Sequence, residues 1–440
     1  MATVGSAVGL GTIWRFPAEA QAGGGSAFLL VYIACVLVLG IPVMLSEFAV
    51  GRAGRSDAVG SYIKLSPGSR WYFVGGLGIL TSYIITIFYM VVAGWTLEYL
   101  VESVTGNLYN GIADGGAQMT EGFSEKMHQY IATPWAPLIY TIIVIVINIS
   151  ILLGGVKKGI ERMANIAMPM LFLILLVFMF VTMSLPGASA GISYFLSPDF
   201  SKLTPAVFIS ALGQALFSLS LGMGILVTYS AYYPADTNLT KTSCTVSALT
   251  LAVAIMMGLI IFPAVTAFGI SDHAMAGTTL VFVTLPEVFA NLPGGQYWSV
   301  LFFLLLMLAA LTSTVSIAEP SIAFVRDRFN MSRRKATLII LLPMLVFGAV
   351  CSLSFSTLSA YTVFGMNIFE CLDALTNYIL LPVVAIGGCV YVGWFAPRGL
   401  MHNQLTNHGT LNNRLAPAVM FALRYLAPVA ILTIMIAGLI

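Results

Sequence analysis

Residues 5–17 read GSAVGLGTIWRFP, and Gly5, Gly9 and Gly11 all fall within the first seven of them. Glycine destabilises a helix interior by about 1 kcal/mol relative to alanine, so this cluster invites a break in an otherwise apolar helix. A broken helix in hydrocarbon strands backbone carbonyls and N–H groups, which is tolerable only where they face protein or a polar cavity. There, the carbonyls can bind a cation and an exposed helix N-terminus can bind a carboxylate. Just beyond stands Arg15, a permanent charge in the same apolar run. An arginine at that depth marks function by default, because its burial is costly. The second half of the chain carries a similar Gly- and Ser-rich interruption, FSLSLGMG at 217–224. These residues suit binding rather than bond-making.

Nothing else in the chain suggests an enzyme. His128, His273, His402 and His408 fall in loops without metal-ligand spacing. The five cysteines (Cys35, Cys244, Cys351, Cys371, Cys389) form no CxxC pair and read as small core residues. The GLG at 9–11 follows no strand, so it is not a dinucleotide fingerprint. No nucleophile–base pair is visible, and a net charge of +2 argues against nucleic acid as a partner.

The elements that must position these residues are membrane helices. The chain has 440 residues, 59% hydrophobic and 8% charged, with a mean hydropathy of +0.96. A soluble domain carries about 25% charged residues. The expected fold class is therefore an all-α polytopic membrane protein, a single transmembrane domain over 1–440 with lipid as its surround. Eleven apolar segments lie near 1–22, 27–51, 72–103, 134–154, 163–185, 206–233, 243–269, 297–325, 336–355, 368–396 and 416–440. No cleavable signal peptide is visible. Oligomeric state is not legible.

Orientation follows from the basic residues. One set of alternate loops holds Arg52, Arg55, Lys64, Arg70, Lys157, Lys158, Arg162, Lys241, Arg326, Arg328, Arg333, Arg334, Lys335, Arg398 and Arg414, fifteen of the nineteen Lys and Arg residues. The opposite loops hold only Lys126 and Lys202. The start is thus expected in the cytoplasm and the C-terminus outside, in a bacterial-type inner membrane. Of the outer loops, 105–133 carries Asp114, Glu121 and Glu125 and reads as solvated. The Pro-punctuated 270–296 reads as a short helix–turn cap.

The first and sixth segments open two blocks of five spans, about 1–185 and 206–396, with an extra helix at 416–440. Paired interrupted helices at matching places in two repeats point to a transport site at the bilayer midplane. Met1 stands only four residues before Gly5, so the leading half of the first span is short. Either the start lies upstream or the machinery on that side is altered.

Five motifs in order resemble the neurotransmitter:sodium symporter family, on its prokaryotic, leucine-transporter-like amino-acid branch. They are GSAVGLGTIWRFP, GIPVMLSEFAVGR (40–52), KKGIERMANIAMP (157–169), GQALFSLSLGMG (213–224) and LTSTVSIAEP (311–320). The likeness covers nearly the whole chain. It implies two inverted five-helix repeats with discontinuous helices 1 and 6, and sodium as the coupling ion. A second sodium site is implied at the carbonyls of Gly5, Val8 and Ala309 and the hydroxyls of Thr312 and Ser313. The first sodium site departs from the family pattern. It retains the carbonyl of Ala7 but has Thr12 for an asparagine, Thr250 for an amide or carboxylate, and Ser218 for a threonine. One or two sodium ions are thus implied. Tyr32, Gln214 and Ser218 match chloride-site positions and Ala254 does not, so chloride dependence stays open.

By the same resemblance, Gly9 replaces the aspartate that meets the amine in monoamine carriers, so the substrate must bring its own carboxylate. That implies a small zwitterion, a neutral amino acid. Its carboxylate would meet the N–H groups of Leu10 and Gly11 and the Tyr89 hydroxyl. Its ammonium would meet the carbonyls of Ala7, Phe217 and Ser218 and the Ser220 hydroxyl. Ile85, Phe217, Met223, Ser313 and Ile317 would line an uncharged side-chain pocket, which excludes charged substrates by desolvation. Flexible Met223 favours a broad range (Leu, Ile, Met, Phe, with Trp or Tyr at the large end). Arg15 and Asp373 are implied as an outer gate pair above a Tyr89–Phe217 lid, and Asp327 as an inner gate. Buried Glu47 is expected to brace the breaks by accepting backbone N–H groups, and Glu319 is a further buried charge. The implied activity is sodium-coupled symport by alternating access. A proton-coupled or uncoupled carrier, or a non-transporting receptor with a vestigial site, are the rival readings.

Overall fold

The computed structural model describes residues 2–112, 116–270 and 279–437. Asp114 and His273 lie outside the described residues. Those described form helices of all three windings, with no strand beyond one isolated bridge between Val363 and Met366.

Among the described residues, nine helices are long and apolar enough to cross a membrane: Ser26–Gly54, Tyr72–Thr105, Trp135–Leu153, Gly159–Met183, Leu239–Phe268, Gly295–Arg328, Arg333–Leu353, Ile368–Phe395 and Ala416–Ala437. They coincide with nine of the eleven apolar segments. The two segments missing from the set are the first and sixth, which are interrupted and so too short at a stretch.

In the first, a helix over Ala2–Ala7 stops, Val8 and Gly9 leave helical geometry, and winding resumes through a wide turn at Gly11–Arg15 into Phe16–Ala22. In the sixth, Thr204 caps Pro205–Ser218 by accepting from the Val207 N–H. The chain is non-helical from Leu219 to Gly224 and resumes as Ile225–Ser230. Ser220, Gly222 and Gly224 all have positive φ (55°, 76° and 67°), a left-handed conformation in which no helix continues.

The third and eighth spans frame these breaks. Each is 34 residues long, about 51 Å at helical rise, which exceeds a hydrocarbon core of about 30 Å and requires tilt or protrusion. They pack along each other, and the eighth also packs against the leading half of the first span. That leading half touches the fifth and seventh spans as well.

The loops expected on the outer side depart from the reading in one respect. The segment read as solvated contains an amphipathic helix, Gly116–Ala132, that buries Met119, Phe123 and Met127. The charged residues mislead because they occupy only its outer face. Thr120 on this helix donates to Glu287 Oε1 at 2.8 Å. Glu287 sits in the helix Leu285–Ala290, part of the cap signalled by the prolines. Burial pushes the Glu287 carboxyl above its ordinary pKa.

Candidate functional site

The two breaks meet, and side chains stitch them together. Gln214 Nε2 donates to the Gly11 carbonyl at 3.0 Å, and Ser220 Oγ donates to the Ser6 carbonyl at 2.8 Å. From the third span, the Tyr89 hydroxyl accepts the Gly11 N–H at 3.1 Å. Two glycines permit this approach. A Cβ on Gly9 would overlap Ser313 Oγ of the eighth span, and a Cβ on Gly11 would overlap the Phe217 ring. All these residues are buried.

The residues assigned to the second sodium site face one another across the first and eighth spans. Gly5 is packed on Thr312, whose Cβ would lie 3.5 Å from a Cβ at Gly5. Thr312 Oγ1 donates to the carbonyls of Ala309 and Leu308 at 3.0 and 3.1 Å, leaving its lone pairs free. The buried Ser313 hydroxyl interacts electrostatically with Tyr89 but closes no hydrogen bond. Val8 is fully buried at the break beside it. Oxygens of this kind suit a hard monovalent cation.

In the other sodium set, Thr12 Oγ1 donates to the Ala7 carbonyl at 3.3 Å, so these two are adjacent. Thr250 directs its hydroxyl proton to Val246 in its own helix at 2.9 Å. Ser218 Oγ is 2.8 Å from the Tyr32 hydroxyl. The seventh span that carries Thr250 packs on both halves of the first. Of the chloride-related positions, Gln214 Oε1 is buried without a partner and Ala254 is fully buried.

For the substrate, Leu10 and Gly11 open the resumed helix of the first span beside Tyr89. Ile85, Met223 and Ile317 are buried, one each from the third span, the sixth-span break and the eighth span. Ser220 is compatible with the expected arrangement. Its hydroxyl proton is committed to Ser6, because the left-handed turn aims Oγ at the opposing break. Its lone pairs remain to receive an ammonium, which can only donate.

The residues expected as a gate pair are linked indirectly. Arg15 and Asp373 form no direct ion pair. Arg15 Nε lies 3.5 Å from Glu19 Oε1, one helical turn on, and its guanidinium stacks 5.2 Å from the Phe217 ring centroid. Asn377 stands between the expected partners, taking 3.2 Å from Arg15 Nη1 and giving 2.7 Å to Asp373 Oδ1. The signal was available: Asn377 is four residues after Asp373 and shares its helix face. Arg15, Asp373, Tyr89 and Phe217 all line one cavity of about 350 Å³, together with Trp14, Glu19 and Phe88. At the other end, Asp327 is held by its neighbour Arg326 at 2.7 Å, and Thr3 Oγ1 meets the Tyr233 hydroxyl at 2.6 Å.

Glu47 and Glu319 are structural braces. Glu47 Oε1 accepts the Gly222 N–H at 2.8 Å, inside the sixth-span break. Glu319 is fully buried in a bidentate pair with Arg333, at 2.7 and 2.6 Å, and Arg333 Nε reaches the Leu152 carbonyl at 3.2 Å.

Comparison with known proteins agrees with this geometry. The model of the sodium:neurotransmitter symporter family matches residues 1–113 and 117–440. The chain belongs to that family. A sodium-dependent transporter of Bacillus subtilis, YhdH, is 33% identical over 438 residues, covering 99% of this chain and 94% of that one. A sodium-dependent transporter of Haemophilus influenzae is 35% identical over 404 residues, covering 90% and 87%. The crystal structure of MhsT in complex with L-phenylalanine superposes with a TM-score of 0.89 at 38% identity, covering 99% of this chain and 97% of that one. As a symporter-family member the chain is an integral membrane transporter of the sodium-dependent kind, not an enzyme. Its all-α fold is shared with MhsT.

Proposed function

We propose that this symporter carries a neutral, hydrophobic or aromatic amino acid inward with sodium, by alternating access. The observation that carries the reading is the convergence of Gly11 N–H and Tyr89 hydroxyl at a break where position 9 has no side chain. The Tyr89 hydroxyl, which accepts from Gly11, keeps its own proton to donate to a carboxylate, and position 9 brings no anion to an amine. The substrate must therefore be a zwitterion. The buried, uncharged Ile85, Phe217, Met223 and Ile317 suit an apolar side chain. The likeness to MhsT, solved with phenylalanine, supports an amino acid of that size.

Sodium between Gly5, Val8, Ala309, Thr312 and Ser313 joins the first span to the eighth and holds the cavity above Tyr89 and Phe217 open. Substrate then draws that lid shut, and the Ala2–Ala7 helix swings away to release both on the cytoplasmic side. Coupling requires only that ion and substrate prefer the same state. The first sodium site, at Ala7, Thr12, Ser218 and Thr250, holds a second, weaker ion through hydroxyl rather than amide oxygens. The distribution of basic loops supports a cytoplasmic N-terminus and an outer C-terminus. The repeats run over about 1–185 and 206–396.

The test is uptake of labelled leucine and phenylalanine into proteoliposomes under an inward sodium gradient. Uptake should depend on the gradient and collapse when choline replaces sodium. Unchanged uptake in choline, or uptake driven by a pH gradient alone, would replace this reading with a different coupling.

A further inference from the structure

A second cavity, of about 400 Å³, lies beyond the end of the second span. It sits between that span, Ala235 in the turn after the sixth, and the short helix Leu400–Leu405. Its polar lining is Arg52, Arg55, Arg398, His408, Asn403 and Gln404, and no carboxylate lines it. Arg52 is buried (4% exposed), yet every partner it has is neutral. Nε donates to Gln404 Oε1 and Nη1 to the Thr237 carbonyl, both at 2.6 Å, and Nη2 donates to the Gln404 carbonyl. A guanidinium has five N–H groups, so two remain for a ligand.

A buried charge is costly unless paired. The two acids nearest in sequence are engaged elsewhere: Asp57 accepts the Val59 and Gly60 N–H groups and the Ser56 hydroxyl, and Glu47 accepts the Gly222 N–H. Arg55, at the mouth, is held by a left-handed backbone (φ 47°). Exposed Trp394 and Phe395, at the end of the tenth span, mark the level of a membrane interface.

We propose that this cavity binds a phosphate-class anion. A tetrahedral group with several charged oxygens matches the planar forks of two or three arginines, and would supply the countercharge Arg52 lacks. A phospholipid headgroup and free phosphate share this chemistry.

The test is thermal unfolding of the purified, delipidated protein with added phosphatidylglycerol, phosphatidylcholine or inorganic phosphate. It is repeated on a triple variant, Arg55→Gln, Arg398→Gln and His408→Gln, which leaves Arg52 and its bonds intact. Phosphatidylglycerol should raise the unfolding temperature where phosphatidylcholine does not, and the variant should need about tenfold more of it. An equal rise with inorganic phosphate, lost in the variant, would assign the site to a soluble anion. Stabilisation by neither anion, equal stabilisation by both lipids, or a variant that responds like the parent would overturn the proposal.

Discussion

Arg15 reaches Asp373 through Asn377, not directly: the amide oxygen accepts from Nη1 at 3.2 Å and the amide nitrogen donates to the carboxylate at 2.7 Å. The amide can serve both only in this orientation, since a guanidinium donates and a carboxylate accepts. Asn377 thus spaces the two charges at the rim of the outer cavity. If closure brings them together, the amide must be displaced or carried along.

Asn377→Ala removes the spacer and leaves Asp373 without that donor. A hydrogen bond to a charged group contributes about 1.5–3 kcal/mol, so apparent amino-acid affinity should weaken by about ten- to a hundredfold. Asn377→Asp should weaken it further, because a second carboxylate beside Asp373 competes for Arg15. Equilibrium binding of a labelled amino acid checks both; an unchanged affinity in both variants would remove Asn377 from the gate.

Gly9→Ala places a methyl group on the Ser313 hydroxyl. The first span must then move off the eighth, at the junction assigned to sodium. Sodium-dependent binding should be lost while the protein still inserts and purifies. Adding Ser313→Ala relieves the overlap with Oγ, so the double variant should regain thermal stability without regaining sodium affinity.

Removing the carboxylate of Glu47 strands the Gly222 N–H inside the sixth-span break. An unsatisfied buried donor costs about 1–3 kcal/mol. Glu47→Ala should lower the unfolding temperature accordingly, whereas Glu47→Gln, which retains an acceptor, should unfold close to the parent.

Arg333→Ala leaves a fully buried Glu319 carboxylate alone. Breaking a buried pair on one side costs about 3–5 kcal/mol, so this variant should be among the least stable. Arg333→Ala with Glu319→Gln should recover most of that loss in the same unfolding assay. No recovery would mean that Arg333 acts through the Leu152 carbonyl instead.

Much of the architecture was legible because bilayer burial writes long apolar runs, and the two broken spans announced themselves through glycine. The Glu47 brace was legible too, since a buried carboxylate beside a helix break has few other uses. Four features went unread for physical reasons. The 116–132 helix buries only one face, so its charges masked it. The role of Ser220 turns on a positive φ that serine seldom adopts, which no side-chain pattern records. Arg15 and Asp373 had the right charges for a direct pair, but a neutral residue one turn away took up both ends. Arg52 was counted only as a basic loop residue, because its burial depends on Gln404, which lies far along the chain.

The central claim is that amino acid and sodium bind together where the first span's break meets the third and eighth spans. It is tested most directly by equilibrium binding of labelled phenylalanine or leucine to the purified protein across a sodium titration, with Thr312→Ala plus Ser313→Ala alongside. Sodium should tighten amino-acid binding, and amino acid should tighten sodium binding by the same factor, with the double variant shifted to higher sodium. Amino-acid binding that is indifferent to sodium, or a double variant that titrates like the parent, would contradict it.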